Sequence, residues 1–198
     1  MSSAMSLTLL DLAAARAFIG CRDEGLLHAV RDNFGADLAA DDDYFGSEIR
    51  RGAPTAYQAL EAVVNGGPFD EGFAFQYGYA YKRLCELTGY RLPNNNFCPI
   101  RASWLPVLDE ALAGLGITAV SVSELTYSLP DPLPFTDLPG YGEWTAEQCA
   151  KGLAQWEATT DERRRAVDPM TMEVIEECVG WMRAAGRMPG FGVVGFLS

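Results

Sequence analysis

Apolar residues recur along most of the chain at the spacing of a helix face. Leu26, Leu27, Val30 and Phe34 fall on one such face, and Asp23 and Glu24 precede them where the positive end of a helix dipole favours acids, so a helix is predicted over 22–34. Before it, Asp11 can cap a helix running to Ile19 that Gly20 stops. Pro54 and Thr55 open a helix whose Ala56, Leu60, Val63 and Val64 share a face, and the run Asn65, Gly66, Gly67, Pro68 closes it. Leu105, Leu108, Leu112 and Leu115 form another stripe, with Ser103 as cap and Pro106 tolerated in the first turn. Thr145 with Gln148 three residues on is a capping box, and Cys149, Leu153 and Trp156 edge the helix it opens. From Pro169, residues Met172, Ile175, Cys178, Val179 and Met182 keep helical period until Gly186.

One segment satisfies two periods. Phe73, Phe75, Tyr77, Tyr79 and Tyr81 alternate as in a strand, yet Phe73, Tyr77, Tyr81, Leu84 and Cys85 also share a helix face. The continuation to Thr88, with Gly89 as a left-handed cap, favours helix. Gly78 within it weakens the helix by about 1 kcal/mol relative to alanine, which predicts another element packed closely on that bare backbone.

Strands are predicted for Ser6–Leu10, for the β-branched run from Ile117 to Val122 with an extension to Tyr127, and for Phe191–Leu197. The expected architecture is a helix-dominated α+β single domain over 1–198, with a small sheet from the N-terminal, 117–127 and C-terminal strands. Pro130, Pro132, Pro134 and Pro139 make 129–140 a loop and the one linker candidate.

Composition narrows the function classes. With 198 residues, 48% of them apolar and 21% charged, the chain can bury a core of its own. Its formal charge of −12 is spread along the whole length, which argues against a nucleic-acid binder and favours attraction of a basic partner. Five well-separated cysteines show no zinc spacing, and His28 is the one histidine, so no metal or cofactor is expected and a reducing compartment fits. The apolar stretch from Leu7 to Gly20 carries Asp11 and Arg16 and lacks a preceding base, unlike a signal segment, and no run reaches membrane-spanning length. A cytoplasmic location without membrane association is expected.

Few motifs carry chemistry. Gly190, Gly192 and Gly195 spell the dinucleotide fingerprint, but only three residues follow, too few for the helix that would hold a pyrophosphate; a terminal strand passing close to other backbone is expected instead. Asp41, Asp42 and Asp43 are expected as helix cap or solvated loop rather than as cation ligands. Arg163–Arg165, Glu176 and Glu177 are expected on solvent faces, and His28 at a helix edge. The candidate binding residues are Tyr77 and Tyr81 from the aromatic run and Asn94, Asn95 and Asn96 from the loop after it, because these side chains combine apolar contact with hydrogen bonding.

The run GGPFDEGFAFQYGYAYKRLCELTGYRLPNNNFCP, residues 66–99, resembles a stretch shared by an uncharacterised family of cytosolic actinobacterial proteins. The resemblance implies a bacterial source and transfers no catalytic residue. The expected function is a non-enzymatic acidic binding or regulatory protein, of the immunity or antitoxin kind, that engages a basic protein. The alternative is a small-molecule-binding protein or enzyme with Asp/Glu acid–base chemistry in a pocket lined by Tyr77, Tyr81 and Asn95; self-association is a third possibility.

Overall fold

A computed structural model describes residues 3–198. In chain order the elements are β1 (Met5–Asp11), α1 (Leu12–Arg16), α2 (Glu24–Tyr44), α3 (Gly46–Ile49), α4 (Ala56–Asn65), α5 (Ala74–Thr88), β2 (Tyr90–Arg91), α6 (Leu105–Gly114), β3 (Gly140–Trp144), α7 (Ala146–Glu157), α8 (Asp161–Ala166), α9 (Pro169–Gly186) and β4 (Phe191–Leu197), with short 3-10 turns between them. Helix dominates, and a four-stranded sheet includes both terminal strands. The chain divides into two compact units: one holds the chain up to Leu12 with Tyr90–Tyr127 and Gly140–Ser198, the other Ala13–Gly89 with Ser128–Pro139.

The first unit is built on the antiparallel sheet β2-β1-β4-β3. β1 and β4 pair along their full length, from Met5 opposite Leu197 to Asp11 opposite Phe191. Strand alternation puts Met5, Leu7, Leu9, Trp144, Val193 and Leu197 on one face, and these join Leu105, Leu108 and Leu112 of α6, Cys149 of α7 and the buried side of α9 in one core. The capping box at Thr145 forms as expected, and Asp168 caps α9 by accepting from the Thr171 amide at 2.9 Å. Ser103 does not cap α6; it sits in a 3-10 turn, and Trp104 takes the capping position without a side-chain hydrogen bond.

The 117–127 segment is not a strand. Its apolar residues Ile117, Val120, Val122 and Leu125 are buried, which is why the run looks β-like, but several of its amides bond to side chains and those of Ile117 and Leu125 to nearby backbone carbonyls instead of to a neighbouring strand. Gln155 Oε1 accepts from the amides of Thr118 and Ala119, and the Asp109 carboxylate accepts from those of Val122 and Ser123 and from the Ser121 hydroxyl. The segment ends as a 3-10 turn, Ser123–Thr126, lying on the sheet face. The place in the sheet goes to β3, whose glycines let that turn approach: a Cβ on Gly142 would lie 1.8 Å from the Glu124 carbonyl oxygen, and one on its partner Gly195 would lie 2.8 Å from Leu125 Cβ. The close backbone passage expected of the terminal glycines is thus present, and it recurs at Gly192, where a Cβ would lie 2.5 Å from the Trp144 carbonyl oxygen.

In the second unit, α2 runs past Phe34, where a non-helical dihedral kinks it, through the three aspartates to Tyr44. Thr55 and Gln58 form a capping box at α4. The aromatic run is helical, as α5, and Gly78 receives the predicted neighbour: a Cβ there would meet Pro139 at 2.8 Å and Leu129 at 3.1 Å, both from the proline-rich loop. Gly89 ends α5 in an extended conformation rather than a left-handed one. α1 is shorter than expected, giving way to turns after Arg16.

Candidate functional site

Tyr77 and Tyr81 are buried in α5 of the second unit. The Tyr77 hydroxyl accepts from the Asp70 amide at 3.0 Å, and its ring stands edge-on to Phe69. Both side chains belong to the buried core of that unit. His28 is exposed on α2. Asp42 Oδ1 accepts from the Ala56 amide at 2.7 Å and so helps cap α4, while Asp41 pairs with Arg83 at 3.2 Å. Among the described residues no three His, Cys, Asp or Glu side chains converge to hold a metal ion.

Asn94, Asn95 and Asn96 lie in the first unit, in a loop held at several points. Asn94 Nδ2 donates to the Met5 carbonyl at 2.8 Å, and Trp181 Nε1 donates to the Pro93 carbonyl at 2.7 Å. Phe97 is fully buried against the Trp181 ring, with centroids 4.8 Å apart. Glu177 does not simply face solvent as expected: its Oε1 accepts from the Asn95 amide at 2.7 Å, and its Oε2 accepts from the Asn96 amide and Nδ2, both at 3.0 Å. A run of three asparagines leaves backbone donors that need an acceptor, and Glu177, 81 residues beyond Asn96, supplies it. Local sequence carries no sign of that pairing.

Fixing the loop creates a groove of about 340 Å³ beside α9. Its walls are Leu92, Pro93, Trp181 and Ala184; its polar groups are Asn95, Asn96, Glu173 and Glu177. Gly180 opens the floor, since nothing lies within 4 Å of where its Cβ would be. Glu173 and Glu177 stand one helical turn apart, and like charges at that spacing destabilise a helix by roughly 0.2–0.5 kcal/mol. No lysine or arginine pairs with either of them among the described residues. Glu177 Oε1 has accepted one hydrogen bond and retains capacity for a second. The arrangement suits a cation with an apolar stem. A second hollow of about 350 Å³ shares Asn96 and carries Arg101 with Ile100 and Trp104.

Arg164, expected in a solvated patch, instead lays its guanidinium 4.2 Å over the Trp156 ring and donates to the Trp156 carbonyl at 2.8 Å. Of the thiols, Cys149 is pushed up to about 11 by burial and Cys178 well above its ordinary value for the same reason; Cys85 is also buried, and Cys21 and Cys98 are exposed.

The family described as a domain of unknown function, DUF7691, matches residues 1–198. The chain belongs to that family. The family's description assigns no activity to any residue. None of the curated proteins and none of the solved structures matches the chain. No described helix of this DUF7691 protein is long and apolar enough to cross a membrane.

Proposed function

We propose that this protein is a non-catalytic binding protein that engages a basic protein partner, and that the groove beside α9 receives a lysine or arginine side chain of that partner. The observation that carries the reading is the pair Glu173 and Glu177, which line a preformed groove and have no basic partner among the described residues. Leu92, Pro93 and Ala184 would cover the methylene stem while the carboxylates meet the charged head. The loop that forms one wall is already fixed by Glu177, so little ordering accompanies binding. The overall charge of −12 steers a basic partner toward the surface and makes association fall with salt.

The test is an NMR titration of the full chain with N-acetyl-arginine methylamide and, in parallel, with its neutral citrulline counterpart. Saturable shifts at Asn95, Asn96 and Glu173 with arginine alone are expected. Equal shifts with both compounds, or shifts that avoid this groove, would refute the reading.

A further inference from the structure

The end of α2 in the second unit carries an aromatic cluster with one largely exposed ring. Phe45 lies 4.8 Å from Phe75 and 5.4 Å from Tyr79, centroid to centroid, with tilted rings, and those three are half-buried. Tyr44 stands edge-on to Phe45 at 4.8 Å, yet is 81% exposed. Tyr44, Phe45 and Phe75 line a shallow hollow of about 390 Å³ together with Ser47 and Glu48.

From this we infer that the hollow is a binding site for an alkylammonium or guanidinium group, held against ring faces. Aromatic faces carry negative potential and attract cations placed over them, most effectively cations that shed water easily. Glu48 at the rim is ionised: hydrogen bonds from Ser47 and from the Arg51 guanidinium it pairs with at 2.7 Å hold its carboxyl below the usual carboxylate range. Its pairing with Arg51 offsets its charge locally and leaves the rings as the main attraction. Tyr79 is raised above its ordinary value by burial and by Tyr44 and Asp41, so its ring stays neutral. Residues 37–51 carry Asp37, Asp41, Asp42, Asp43 and Glu48 against Arg50 and Arg51, with Arg51 pairing to Glu48 and Arg83 of α5 to Asp37 and Asp41. The balance still favours a cation.

This site is independent of the groove beside α9, and its test separates the two. The full chain is titrated with tetramethylammonium chloride and, as control, with sodium chloride at matched ionic strength, and amide shifts are followed by NMR. Saturable shifts at Tyr44, Phe45, Glu48 and Phe75 are expected with tetramethylammonium only, at millimolar affinity. Tyr44→Ala should weaken binding about fivefold to tenfold, while Tyr44→Phe, which keeps the ring, stays within about twofold. Tyr44 is exposed, so both variants should fold, as circular dichroism will show. Glu173→Gln should leave this titration unchanged. Identical shifts with sodium, equal affinity of Tyr44→Ala, or loss of binding in Glu173→Gln would each overturn the inference.

Discussion

Single atoms decide several features of this protein. A methyl group on Gly142 would collide with the Glu124 carbonyl, 1.8 Å away, and the obstacle is backbone that cannot rotate aside. Gly142→Ala should therefore cost about 3 kcal/mol or more, measured by urea denaturation. Gly180 is the opposite case: it is exposed within α9 with open space at its Cβ, so Gly180→Ala should raise stability by about 1 kcal/mol. Sequence alone does not separate these glycines, because the obstructing turn is far from Gly142 along the chain. The thiols divide similarly. Cys21 and Cys98 should react with iodoacetamide in the native state, while Cys85, Cys149 and Cys178 are labelled only on unfolding. Cys149 binds its proton more tightly when folded than when unfolded, so its contribution to stability is complete below the unfolded value of roughly 8.5 and is lost as pH rises toward about 11. Denaturation midpoints should fall across that alkaline window, and a Cys149→Ala variant should show a smaller fall.

At the scale of elements, legibility followed locality. The helices with a strong face and a local cap, α4, α7 and α9, lie where Thr55, Thr145 and Pro169 announce them, because each of those signals acts within one turn. The strands β1 and β4 were equally plain from their apolar runs. What misled was 117–127, whose burial looks like that of a strand while its amides bond to Asp109 and Gln155. β3 went unpredicted for the complementary reason: two of its five residues are glycines, poor strand formers, kept bare so that the 3-10 turn can lie on them. Asp109→Ala should leave the Val122 and Ser123 amides without their acceptor and lower stability by about 2 kcal/mol. Thr145→Ala, which removes one cap, should cost about 1 kcal/mol. Chemical denaturation of the two variants checks the order. The candidate site was half legible: the asparagine triplet stood out by composition, but Glu177 and the groove it shapes depend on a pairing across 81 residues.

For the molecule as a whole, the proposed reading has charge and groove acting together. A formal charge of −12 sets the long-range field, whereas individual exposed ion pairs contribute little. On that reading specificity comes from a place that joins carboxylates to apolar walls, and the loop Asn94–Asn96, held by Glu177, borders one. Glu173 is the informative residue, since it lines the groove yet holds no part of the loop in place. Calorimetric titration of the full chain with an arginine-rich peptide, wild type against Glu173→Gln, at low and physiological salt, tests this most directly. Binding that weakens about tenfold in Glu173→Gln and falls with salt in the wild type is the predicted result. Equal affinity of the two proteins, or no binding at either salt, would contradict it.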